Sequence, residues 1–166
     1  MAKLKLYHIS ESYINYMHGV DKKVQQNKGE RRPYVGIVFE INNYKYFAPL
    51  ESPKDNHNNI KSGGPVLKLN NGKLGIIGFN NMIPVKDGCL LDFSIENEED
   101  EKYKQLLYNQ LNYCNKKENR EVILKRALTT YNKRTKDNNS FYKKICCDFK
   151  KLEGASKKFN PNYKRK

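Results

Sequence analysis

The sequence has no long hydrophobic run. No apolar stretch approaches the roughly 20 residues that span a bilayer, and the opening Met1-Ala2-Lys3-Leu4-Lys5-Leu6-Tyr7 is too polar for a signal peptide and reads as a first strand. No membrane span and no conventional secretion are expected. Cysteine is sparse: Cys89, Cys114, Cys146 and Cys147 form no CxxC pair. An adjacent pair suits neither a zinc knuckle nor an ordinary disulfide. The four read as small, mostly buried, reduced side chains of a cytoplasmic protein. The three histidines, His8, His18 and His57, lack the spacing of metal-ligating helices, so no metal site is expected. A Gly-rich phosphate loop, a paired-carboxylate signature and a nucleophile elbow are missing as well, and no cofactor is implied. Gly36, Gly75 and Gly78 lie inside apparent strands and read as bulge or close-packing positions.

Acidic charge is scarce in one place only. The chain of 166 residues carries 32 Lys plus Arg against 18 Asp plus Glu, a net charge of +14. Residues 1–100 hold 13 basic and 12 acidic side chains, whereas residues 101–166 hold 19 and 6. Nearly the whole surplus therefore sits in the last 66 residues. A concentrated positive field recruits polyanions by counterion release. Nucleic acid is the first candidate; an anionic membrane surface and a plain solvated helical face are the alternatives.

At 37 % hydrophobic residues the chain still has material for a core. Ser10 is a possible cap for a short helix ending near Gly19, with Ile14 and Met17 on its apolar side. Tyr34-Val35-Gly36-Ile37-Val38-Phe39-Glu40-Ile41, β-branched and aromatic, predicts a central strand. Asn42-Asn43 predicts a tight hairpin turn into Tyr44–Leu50. Pro49 cannot donate to a ladder, so that second strand should end or reach an edge there. Residues 66–69, 74–79, 81–85 and 90–93 add short strands, about six in all, which predicts a small, curved antiparallel sheet or barrel. From Glu96 an acidic cluster opens a helical part. Leu106, Leu107 and Leu111 mark one helix, Val122, Ile123, Ala127, Leu128 and Tyr131 a second, and Phe141, Ile145 and Phe149 a third. We expect a single α+β domain over residues 1–166. It divides into a β-rich core with one short helix (1–95), a basic helical part (96–153) and a basic tail, frayed when unbound (154–166).

Chemistry concentrates after the hairpin. In Leu50-Glu51-Ser52-Pro53-Lys54, Pro53 stiffens the turn from which Ser52 and Lys54 project. A hydroxyl and an ammonium side by side suit a phosphate, the one through a directed hydrogen bond and the other through a compact charge. An ordinary surface turn is the bland alternative. Arg31-Arg32 reads as a bidentate phosphate clamp or a basic loop end. His57 has the pKa range of an acid–base group, although Asn58 and Asn59 beside it favour a turn-forming or hydrogen-bonding role. Exposed members of the 12 tyrosines would suit stacking on unpaired bases, though most fall at core spacing. From residues alone, the chain is a β-rich core with basic helices that binds nucleic acid, most readily RNA, with a non-catalytic RNA-binding protein as an open reading.

Five stretches in order carry a resemblance: Leu4-Lys5-Leu6-Tyr7-His8-Ile9-Ser10 with Tyr13 and Ile14; Arg32-Pro33-Tyr34-Val35-Gly36-Ile37-Val38; Tyr46-Phe47-Ala48-Pro49-Leu50 into Ser52-Pro53-Lys54; His57-Asn58-Asn59-Ile60-Lys61; and Leu74-Gly75-Ile76-Ile77 with Asn81-Met82-Ile83-Pro84-Val85. In these the sequence resembles the ToxN/AbiQ family, the toxins of type III toxin–antitoxin systems. The resemblance implies a compact, strongly curved antiparallel sheet or barrel akin to the MazF/Kid toxins, surrounded by about four helices. It implies a metal-independent endoribonuclease that cuts adenine-rich RNA to 2′,3′-cyclic phosphate and 5′-hydroxyl ends. Such a toxin processes, and is then inhibited by, a pseudoknotted antitoxin RNA in a closed protein–RNA assembly. Cellular or phage RNA is the implied substrate, in phage abortive infection or plasmid maintenance, with no direct protein partner and no membrane.

By position, Ser52 and Lys54 match the family's active-site serine and lysine. Arg32, or Arg31, falls where the family has a basic residue. Glu51 stands where threonine is frequent and acts as a base or points away. No clear counterpart exists between residues 20 and 33 for a family tyrosine. The implied chemistry is attack by the substrate's own 2′-hydroxyl. Lys54 and Arg32 would stabilise charge on the phosphorane oxygens, Ser52 would orient the phosphate and His57 would move a proton. Arg31, Lys28, Lys61, Lys125, Arg126, Lys133, Arg134, Lys143 and Lys144 are the expected RNA-binding residues.

Overall fold

The β-branched, aromatic stretch at 34–41 forms the central strand of a seven-stranded antiparallel sheet. The computed structural model describes residues 3–160, apart from positions 28, 30, 62, 92 and 138 and the side chain of Ile37. The chain runs β1 (Lys5–Ile9), α1 (Glu11–Val20), β2 (Tyr34–Ile41), β3 (Tyr44–Glu51), β4 (Val66–Lys68), β5 (Ile76–Gly78), β6 (Ile83–Pro84) and β7 (Leu90–Leu91). Helices α2 (Glu101–Asn115), α3 (Lys117–Thr135), α4 (Ser140–Ile145) and α5 (Phe149–Lys158) follow. The sheet order is β4-β5-β3-β2-β1-β7, with β6 beside β3.

The sheet is open, which corrects the expected closed barrel. Its two ends, β4 and β7, are three and two residues long. Strands so short cannot supply the tilted, staggered ladder that closure requires. They also leave little free edge to aggregate.

Local chemistry accounts for the central hairpin. Asn42 and Asn43 both have positive φ, 51° and 68°, as a two-residue turn of this hand demands. Between Gly36 and Phe39 the β2–β3 register shifts. The Phe47 ring lies flat against Gly36, where a Cβ would run into it. β3 does not end at Pro49. The Leu50 N–H donates to the Pro33 carbonyl (3.0 Å), so the Pro49 nitrogen faces the opposite edge of β3. That edge pairs with β6 at Tyr46 and Phe47 and with β5 at Leu50 and Glu51. The proline occupies the gap between the two partners, where no donor is needed.

The helices cap as their sequence allows. Asp100 accepts from the Tyr103 N–H (3.1 Å) at the start of α2. Ser10 precedes α1 without a side-chain cap; its N–H donates to the Cys89 carbonyl instead. Phe141, Ile145 and Phe149 do not share one helix. Asn139 caps α4 and Asp148 caps α5, and between them the Cys147 N–H donates to the Asn80 carbonyl (2.9 Å). Val122, Leu128 and Phe141, expected on apolar faces, are exposed, while Ile123, Ala127 and Tyr131 are buried. The expected frayed tail is helix to Lys158, with Leu152, Ala155 and Ser156 buried; residues 161–166 lie outside the described chain.

One hydrophobic core joins the sheet and the helices. At its centre Phe39 stacks on Tyr46 (4.6 Å) and Tyr131 stacks on Phe149 (5.6 Å). The buried Glu153 carboxylate accepts from both the Tyr46 (2.5 Å) and Tyr131 (2.7 Å) hydroxyls, which satisfies groups that would be costly to leave unpaired. α5 also clasps α1. The Tyr13 hydroxyl donates to the Pro84 carbonyl and pairs with Ser156 at 3.1 Å, and Tyr16 donates to the Ala155 carbonyl. All four cysteines are buried and unpaired.

Candidate functional site

The site begins where β3 leaves the sheet. Glu51, its last residue, pairs with Ile76 of β5. Gly75, at φ +97°, brings its backbone so close to the Glu51 carbonyl that any Cβ would collide with it. Only glycine serves at that position, for both reasons. The sheet thus fixes the backbone from which Ser52-Pro53-Lys54 departs. Ser52, Pro53 and Lys54 are exposed, and among the described residues the Lys54 ammonium makes no ion pair.

A short 3-10 turn, Asp55–Asn59, follows. His57 is the buried residue in it, its side chain 5 % exposed. Its backbone N–H donates to the Lys54 carbonyl (3.1 Å), and its ring Nδ1 accepts from the Lys54 N–H (3.2 Å). This reciprocal pair closes the turn. An Nδ1 that accepts leaves the ring proton on Nε2. Nε2 lies 3.5 Å from Oε2 of Glu51.

The other carboxylate oxygen, Oε1, lies 3.7 Å from a terminal nitrogen of Arg32. The β2–β3 register causes this: Tyr34 sits opposite Pro49, so the residues before Tyr34 and after Pro49 emerge together. The Arg32 Nε also donates to the Gln26 carbonyl (3.2 Å). Glu51, 22 % exposed, is held between a guanidinium and an imidazole N–H. Its charge is compensated while one edge remains open to solvent. A carboxylate so placed can stand beside a phosphate and accept a proton.

The structure brings Arg32, Glu51 and His57 into contact and sets Ser52 and Lys54 on the turn they brace. Arg31 and Lys61 are exposed at its margins, and Lys28 lies outside the described residues. The helical cations fall into two groups. Lys125, Lys143 and Lys144 are exposed. Arg126 donates to the Gly64 carbonyl (2.9 Å), Arg134 pairs with Asp148 (3.8 Å) and Lys133 lies over the Tyr142 ring (5.2 Å), so these three also hold the fold. Sequence reasoning missed two supports of the site, the Gln26 carbonyl and the Gly75 approach. The first has no side-chain signature; the second was visible only as a glycine in a strand. Among the described residues no group of three or more His, Cys, Asp or Glu side chains could hold a metal, and no helix is long and apolar enough to cross a membrane.

A family model for the ToxN toxin of type III toxin–antitoxin systems matches residues 5–157. The endoribonuclease ToxN of Bacillus thuringiensis subsp. kurstaki is 34 % identical over 158 residues, covering 90 % of this chain and 80 % of that protein. Among solved structures, one comes from a type III system in which a non-coding RNA pseudoknot selectively inhibits the toxin. It superposes with a TM-score of 0.80 at 32 % identity, covering 94 % of this chain and 97 % of its own. AbiQ, a lactococcal anti-phage endoribonuclease of a type III system, superposes with a TM-score of 0.79 at 26 % identity, covering 94 % and 97 %.

Proposed function

The chain belongs to the ToxN family of type III toxin–antitoxin toxins, and from that premise we propose that it is an endoribonuclease toxin held in check by a pseudoknotted antitoxin RNA. Its finer chemistry, on this reading, is metal-independent cleavage of adenine-rich RNA to 2′,3′-cyclic phosphate and 5′-hydroxyl ends. It cuts its own repeated antitoxin precursor into the units that inhibit it, in a closed protein–RNA assembly, and works in the cytoplasm as one domain. Cellular or phage RNA is the substrate once the antitoxin is lost.

The observation that carries the enzymatic reading is the charge-compensated Glu51 between Arg32 and His57, at the root of the Ser52-Pro53-Lys54 turn. The substrate supplies its own nucleophile. Glu51 takes the proton of the 2′-hydroxyl as the 2′-oxygen–phosphorus bond forms. The bond to the 5′-oxygen breaks, and that oxygen takes a proton from water. Lys54 stabilises the charge on the phosphorane and on the departing oxygen. Ser52 donates to a non-bridging oxygen. Arg32 divides its charge between Glu51 and the phosphate. His57, too buried to meet RNA, holds Glu51 through Nε2 and the turn through Nδ1, which makes it a positioning residue.

The test is cleavage of an end-labelled adenine-rich RNA by RNA-free protein in excess EDTA. Cuts ending in cyclic phosphate, slowed in Lys54→Ala on the order of 10²–10³-fold as for loss of one transition-state contact, support the reading. Wild-type rates in Lys54→Ala would show the site misplaced. Tight binding without cuts would make the chain a non-catalytic RNA-binding protein.

A further inference from the structure

Helix α4 carries a side chain that the fold does not use. Phe141 is 55 % exposed and meets the buried Tyr142 edge-to-face, with ring centroids 5.6 Å apart. Cations surround this pair. Lys133 stands over the Tyr142 ring (5.2 Å), and Lys143 and Lys144 are exposed on the same short helix. Lys23, from the loop after α1, donates to the Lys143 carbonyl (3.1 Å). The nearby carboxylates are Asp137, exposed in the preceding turn, together with Asp148 and Asp21. The latter two are engaged, Asp148 with Arg134 (3.8 Å) and Asp21 with the Asp148 N–H (2.7 Å).

An open aromatic face ringed by ammonium groups has one good chemical complement. An unpaired nucleobase presents a π-face for the ring, with a phosphate on either side for the cations. A duplex hides those faces and offers only its phosphates. The segment that carries Lys23 also leads to the candidate active site. Asn81 donates to the Lys23 carbonyl (2.9 Å), Gln25 donates to Asn81 (3.0 Å) and Gln26 receives Arg32 (3.2 Å). One pinned loop therefore runs from the α4 patch to the site.

We infer that Phe141 is a stacking platform for an unpaired base of bound RNA, with Lys23, Lys133, Lys143 and Lys144 engaging the flanking phosphates. This rests on the RNA reading above and assigns it a second contact point away from the reacting phosphate.

The experiment measures affinity by fluorescence anisotropy in the cleavage-deficient Lys54→Ala background. The probes are an adenine-rich single strand and a blunt duplex of the same sequence. Phe141→Ala should weaken binding of the single strand about tenfold, within the range for one stacked base. Duplex binding and the thermal melt should be unchanged, and Phe141→Trp should restore the affinity. Lys143→Gln with Lys144→Gln should instead flatten the log–log salt slope by about one. Unchanged single-strand affinity in Phe141→Ala, or an equal loss for both probes, overturns the platform alone. If the parent protein binds neither probe, the RNA reading falls and the platform with it.

Discussion

Glu51 carries a negative charge on a surface expected to meet phosphates, at a position where the resembling family often has threonine. Arg32 and His57 make that tolerable. If Glu51 accepts the proton, Glu51→Gln should lower the cleavage rate by about 10²-fold or more, as for loss of a general base. RNA affinity should hold or tighten, because a charge that repels phosphate is gone. Single-turnover rates and binding measured side by side check both halves. Gly75 makes a second residue-scale prediction. Gly75→Ala places a Cβ against the Glu51 carbonyl at φ +97°. It should cost about 2 kcal/mol or more of stability in urea unfolding, the strain of a left-handed residue plus the collision. Any folded fraction should cut RNA poorly, because the same contact sets the Ser52-Pro53-Lys54 turn.

At the scale of elements, what could be read from sequence was what local chemistry decides. The hairpin of β2 and β3 followed from a β-branched run and an Asn-Asn turn, and the start of α2 from its acidic cluster. The α4–α5 break was not legible, because its cause is the Asn80 carbonyl, more than sixty residues away in sequence, drawing the Cys147 N–H out of a helix. The candidate site divides in the same way. Ser52, Lys54 and His57 stood out by residue type and resemblance. Their union with Arg32 and Glu51 depended on strand register and on Gly75, which no local pattern announces. Helix α5 gives a clean test of propensity against packing. Gly154 lies mid-helix, exposed, with no atom within 4 Å of an added Cβ. Gly154→Ala should therefore stabilise the protein by about 0.5–1 kcal/mol, seen as a higher urea midpoint at an unchanged m-value.

At the scale of the molecule, burial governs the response to alkali. Burial pushes the Cys114 thiol up to about 12 and the Cys146 thiol likewise to about 12. It raises the Tyr13, Tyr34, Tyr46 and Tyr131 hydroxyls too, with Glu153 adding to the rise at Tyr46 and Tyr131. These groups bind protons more tightly folded than unfolded. Their contribution is complete below the unfolded thiol value and is lost as pH climbs from about 9 toward 12. Urea midpoints measured from pH 8 to 11 should fall steadily across that window. Thiol reagents should leave all four cysteines unmodified at pH 8 until the protein unfolds.

The shared carboxylate of Glu153 also sets an order of events on the ribosome. Tyr46 emerges 107 residues ahead of the partner that accepts its hydroxyl. At about 5–20 residues per second, that interval lasts on the order of 5–20 seconds. Throughout it the sheet's central tyrosine has no acceptor and α1 has nothing to clasp. A nascent chain stopped before Phe149 lacks the helix that completes the core, so interrupted translation releases fragments without a formed active site. The capacity to harm the cell arrives all at once, with the last turns of the polypeptide.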